Sequence, residues 1–133
     1  MQASITVQQL LDSKGTEIYS VTPDATVFEA LRVMSEAKIG ALPVLRGGKL
    51  VGMFSERDYA RKIVLAGKYS KDTQVSEVMT ASVCHVSSEQ TVKECMALMN
   101  KNRFRHLPVL EGEEVVGVIS IGDIVRALVI SLL

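Results

Sequence analysis

Apolar residues recur along this chain with two different periods, and the alternation between those periods is itself repeated. Val27, Ala30, Leu31 and Met34 fall at i, i+3, i+4 and i+7, the spacing of one face of an amphipathic helix. Val92, Cys95, Met96 and Met99 return in the same phase. Residues 18–21 predict a short strand ahead of the first helix. Thr22 offers an N-cap, and Pro23 suits the first helical position. Before the second helix, Ser87 and Gln90 have the spacing of a capping box. Each helix is followed by two apolar runs flanking glycine. Residues 41–46 and 49–54 flank Gly47-Gly48, and residues 106–111 and 114–119 flank Gly112-Glu113. These predict hairpins, in which glycine supplies the positive φ of a tight turn. One further helix is expected from Ser55 to near Gly67, and another from Ser120 into the apolar residues 128–133. Short helices at residues 7–11 and 75–79 precede the two halves.

The halves align directly. Shifting the chain by 65 residues lays residues 26–61 on residues 91–126 without a gap, and Leu42-Pro43-Val44-Leu45 on Leu107-Pro108-Val109-Leu110. The leading helices align with a shift of 68, so the first half holds three extra residues near positions 14–17. A long unit present only twice does not make a solenoid, which usually needs three or more stacked repeats. It predicts two similar halves that bury their apolar faces on each other and leave clefts suited to small ligands. The expected division is 1–67 for the first repeat with its leading helix, 68–74 for a linker and 75–133 for the second repeat. The expected fold class is α+β, two β-α-β-β-α repeats packed sheet to sheet with pseudo-twofold symmetry.

Composition narrows the function classes. The 133 residues are 47% hydrophobic and 23% charged, ordinary for a globular chain. Fifteen basic residues balance fifteen acidic ones, so net charge gives no case for nucleic-acid or membrane-surface binding. No apolar run approaches the roughly 20 residues of a membrane span. Met1-Gln2-Ala3-Ser4 lacks the basic start of a signal peptide, which makes the cytoplasm the expected location. Cys84 and Cys95 form no disulfide framework. Cys95 reads as a small buried residue on a helix face, and Cys84 as the more accessible of the two. His85 and His106 match Ser20 and Ala41 across the repeat, so neither belongs to a repeated ligand set. No metal-ligand spacing and no activated nucleophile is apparent, which argues against an enzyme and against a metal site.

The sharpest motif is Gly-apolar-apolar-Ser-x-x-Asp, at residues 52–58 and 117–123. A serine N-cap with an acidic residue at N3 accounts for it structurally. A nucleotide accounts for it chemically. Unpaired amides at a helix N-terminus suit a phosphate, and a carboxylate one turn on can accept from the two vicinal hydroxyls of a ribose. Ile39-Gly40-Ala41 would let a flat base approach the backbone closely. Two matched copies, each after a Leu-Pro-Val hairpin, favour the ligand.

With these motifs the chain resembles a tandem pair of CBS domains, a Bateman module, over almost its whole length. The resemblance implies an adenosine-type regulatory ligand such as AMP, ADP, ATP, NAD or S-adenosylmethionine, and no catalytic cofactor. It implies that Ser55 and Ser120 bind phosphate and that Asp58 and Asp123 bind ribose. It assigns Ile18, Ile39, Gly40, Ala41, Arg57, Arg105, Ser120 and Asp123 to a main cleft. Ser55, Asp58, Val83 and His106 fall to a second, with Arg105 also within its reach. The second is expected to be weaker, because Gly122 stands where the main cleft has Arg57. The resemblance also implies a homodimer built from the helices after the signatures, a use that fits the apolar Ile124, Val125, Leu128, Val129 and Leu132. The implied role is a nucleotide sensor that reports ligand state to an effector protein. The alternative is an interaction module or scaffold with vestigial clefts.

Overall fold

A computed structural model describes residues 5–15 and 17–133, so the reading of residues 1–4 lies outside it. The chain forms two compact units. One holds residues up to Ile18 together with Cys84–Leu133, and the other is Tyr19–Val83. This differs from a division at the repeat boundaries, because the leading helices are exchanged. Helix α1 (Val7–Lys14) packs with the second half of the chain, and α4 (Val75–Val78) with the first. The reason lies in equivalent bonds. The Val7 amide donates to Gln90 O at 2.8 Å, and the Val75 amide donates to Ala25 O at 2.8 Å. Val7, Leu10 and Leu11 are then buried beside Val92 and Ile119, as Val75 and Val78 are beside Val27 and Phe54.

In the unit Tyr19–Val83, α2 (Val27–Ala37) leads to the antiparallel hairpin β1 (Ala41–Arg46) and β2 (Lys49–Ser55). Then come α3 (Glu56–Tyr59), a π-helical turn at Ala60–Val64, and α4. The other unit holds α1, α5 (Val92–Asn102), the hairpin β3 (His106–Glu111) and β4 (Glu114–Ser120), and α6 (Ile121–Ser131). The two sheets have two strands each, and the fold is α+β. Both hairpins carry a register shift at the same repeat position, between Val44 and Leu45 and between Val109 and Leu110.

Two expectations about local structure change. Helix α2 is capped by Thr26, whose side chain accepts from the Glu29 amide, and not by Thr22. Pro23 instead lies in a turn closed by the Ala25 amide on Thr22 O, at 3.2 Å. Likewise α5 starts with a Thr91–Glu94 capping box, while Ser87 and Gln90 close the turn ahead of it.

The expected strand at residues 18–21 is a single parallel bridge from Val21 to Val44. Val21 donates to Pro43 O and accepts from the Leu45 amide. Extending the ladder backward would need an N–H from Pro43, and forward one from Pro23; proline has none. The Val86–Val109 bridge is stopped on its Pro108 side in the same way.

Burial follows the sequence pattern with one narrowing. Val27, Ala30 and Met34, and Val92, Cys95 and Met99, are in the cores. Leu31 is only half-buried and Met96 is exposed, so the core face of each helix is a narrower stripe than the full i, i+3, i+4, i+7 set. Helices α2 and α5 both end on a left-handed basic residue, Lys38 (φ 57°) and Arg103 (φ 58°), where glycine would be the usual choice.

Candidate functional site

Each signature serine closes its strand and caps the following helix. The Asp123 amide donates to Ser120 Oγ at 3.1 Å, and the Ser120 amide donates back to Asp123 Oδ2 at 2.8 Å. Ser55 and Asp58 repeat this at 3.2 and 2.9 Å. The first amides of the two helices are also engaged. The Ile121 amide bonds Arg105 O at 2.9 Å, and the Glu56 amide bonds Gly40 O at 3.0 Å. The N-terminal amides expected to meet a phosphate are thus partly consumed by the fold. The bond to Arg105 O fixes the backbone from which the Arg105 side chain projects, and that side chain is exposed.

The two carboxylates are buried, and each is neutralised by neighbours within its own unit. Asp123 Oδ2 also accepts from Lys14 Nζ at 2.7 Å, and Oδ1 accepts from Arg126 Nη2 at 2.6 Å. Lys14 further donates to Val118 O at 2.6 Å, which ties the end of α1 to β4. Burial is the largest single influence on Asp123 and opposes its charge. The Lys14 ammonium, the Ser120 amide and the Ser120 hydroxyl together outweigh it and hold the carboxyl below the usual range.

Asp58 is arranged differently. Its Oδ2 accepts from both the amide and the hydroxyl of Ser55, while Oδ1 accepts from Lys62 Nζ at 3.0 Å and from Thr80 Oγ1 at 3.3 Å. Lys62 also donates to Val78 O, so here too a lysine ties the carboxylate to a leading helix. The cation on α6 is three residues after its Asp; that after Asp58 is four residues on, within the π-helical turn.

The signature glycines have a packing reason. A Cβ on Gly117 would lie 2.6 Å from Leu11 Cδ2, and one on Gly52 would lie 2.6 Å from Met79 Sδ and 3.0 Å from Thr80 O. The exchanged leading helices therefore rest directly on the signature strands.

Of the expected site residues, one unit brings together Ser120 and Asp123 and also holds Ile18, Arg105 and His106. The other brings together Ser55, Asp58 and Gly40, through the Glu56 amide, and also holds Ile39, Ala41, Arg57 and Val83. Sequence reasoning missed Lys14, Lys62, Thr80 and Arg126. Arg126 had a signal, since it matches Arg61 across the repeat, and Lys14 lies in the extra segment of the first half. Cys95 is buried, and that burial pushes its thiol up to about 11. Among the described residues, no cluster of three or more metal-ligating side chains is present, and no helix is long and apolar enough to cross a membrane.

The CBS domain family matches this chain at residues 14–65 and 75–130. The Arabidopsis thaliana protein "CBS domain-containing protein CBSX3, mitochondrial" is 39% identical over 135 residues, which cover 95% of this chain and 66% of that protein. This chain therefore spans just under two thirds of that relative's length. The crystal structure of the CBS domain protein NE2398 is 45% identical, with a TM-score of 0.91, covering 96% of this chain and 99% of that one. A Burkholderia ambifaria MC40-6 structure, described as a candidate signal-transduction protein with CBS domains, is 43% identical with a TM-score of 0.90, covering 98% and 97%. None of the three is described by a catalytic activity.

Proposed function

This chain belongs to the CBS domain family, with two copies of the domain in tandem, and on that premise we propose that it is a regulatory adenine-nucleotide sensor acting through a partner protein. The observation that carries the reading is the Asp123 carboxylate, buried yet held charged at the start of a capped helix whose first amide, that of Ile121, bonds the Arg105 carbonyl. A buried carboxylate suits the two donors of a ribose, and an exposed guanidinium suits a phosphate. Assignment of Arg57 to the same phosphate rests on the resemblance alone, because Arg57 belongs to the other unit.

Ser120 and Asp123 carry the principal ligand in this reading. At Asp58 the Ser55 hydroxyl and the Thr80 hydroxyl donate to the carboxylate beside Lys62, so a ribose there has these donors to displace. That saturation favours the structural alternative for the Ser55–Asp58 pair, a cleft that serves the fold and an interaction surface.

Calorimetry with AMP and adenosine tests the reading. AMP is expected to bind more tightly than adenosine, and Arg105→Ala to narrow the gap by weakening AMP. Absence of binding by either ligand would leave the interaction module as the function.

A further inference from the structure

We infer that Lys14 is a latch whose release couples ribose binding at Asp123 to the last turn of α1, an inference that rests on the nucleotide reading above. A carboxylate oxygen offers about two lone-pair directions. On Asp123 Oδ2 both are taken, by the Ser120 amide at 2.8 Å and by Lys14 Nζ at 2.7 Å. A vicinal diol that places one hydroxyl on each carboxylate oxygen therefore has to displace one of these two. The Ser120 amide is half of the cap that starts α6, and losing that acceptor strands a backbone donor. Lys14 is the partner that yields. Its side chain is 35% exposed, and its ammonium can fall back on water and on Val118 O.

The consequence is local. The start of α1 is anchored independently by buried Val7 and Leu10 and by backbone bonds from Val7 and Gln8 to Gln90 and Ser88. Its end has Leu11 seated over Gly117, the Gly15 amide on Leu11 O, and Lys14. Ribose binding thus loosens residues 11–15 while residues 7–10 stay docked. Glu17 and Ile18, which come after that end in the sequence, are exposed, so ligand state becomes visible on the surface of the chain. Lys14 is a positioning residue here: it acts through Asp123.

Hydrogen exchange of the full chain tests the latch without any ligand. Asp123→Asn keeps an oxygen for the Ser120 amide but loses the charge, and Lys14→Met keeps the aliphatic stem. Both should speed exchange at residues 11–15 at least about fivefold and leave residues 7–10 unchanged. Unchanged exchange in both variants overturns the latch. Adenosine is the probe for coupling, because it carries the diol without the charge of a phosphate. It should speed exchange at residues 11–15 in the wild type, and should bind Lys14→Met several-fold more tightly. Binding with unchanged exchange in the wild type overturns the coupling alone. No binding of adenosine or AMP to either protein overturns the nucleotide reading together with the coupling.

Discussion

At the scale of single residues, the two signature aspartates have diverged although the motif around them is repeated. Each is held by its own serine, but Asp123 is paired with two cations, Lys14 and Arg126, and Asp58 with one, Lys62, and the Thr80 hydroxyl. If Asp123 holds the ribose, Asp123→Ala should weaken AMP binding by about 1.5–3 kcal/mol, the worth of two bonds to a charged acceptor. Asp58→Ala should cost less. Calorimetry on the two variants decides it, and equal losses would remove the asymmetry. The depressed titration of Asp123 also has a pH signature. Its folded value lies below the unfolded one, so its contribution to stability is full above the unfolded value and fades as pH falls through the folded one. Wild-type denaturant stability should therefore drop below about pH 4 more steeply than that of Asp123→Asn.

At the scale of elements, the glycines of the signature strands record where the leading helices sit. Adding a methyl at Gly117 comes closest to Leu11 Cδ2, the end of a side chain that can turn aside. Adding one at Gly52 meets Met79 and also the Thr80 backbone carbonyl, which cannot. Gly52→Ala should cost toward the upper end of the roughly 1–3 kcal/mol typical of overpacking, and Gly117→Ala toward the lower end. Leu11→Ala should restore part of the Gly117→Ala loss in urea unfolding. Much at this scale was legible in sequence. The hairpins fall at the expected residues because glycine turns between apolar runs leave little choice. The helix starts were misplaced by four residues because Thr22 and Ser87 are cap-competent in isolation. Thr26 and Thr91 won because residues flanking α4 and α1 reach them. Thr73 O accepts the Val27 amide and Ile5 O the Val92 amide, contacts no local pattern reports.

At the scale of the whole molecule, helix α6 leaves an apolar strip uncovered. Val125 is 50% exposed, Val129 52% and Leu132, just past the helix, 76%, while Ile124 is fully buried. A strip of this kind suits a second copy of the chain, as the family resemblance implies. Sedimentation at micromolar concentration should show a dimer, and Val125→Glu with Val129→Glu should give a monomer of unchanged helical content. A monomeric wild type would turn this strip toward the effector protein instead.

What the sequence determined by itself is what depends on neighbours along the chain. The hairpins, the glycine turns and the serine–aspartate caps are specified within a few residues, by periodicity and by local hydrogen bonds, and the sequence carries that set twice. The tertiary structure decided what depends on partners far along the chain. It exchanged the leading helices, set Lys14 on Asp123 across more than a hundred residues, and put Leu11 and Met79 against the signature glycines. It also reduced an expected strand to one bridge, because its partner strand carries a proline where a donor was needed. Long-range contacts reward the chain only once the loop between them closes, so no pattern confined to a short window can contain them.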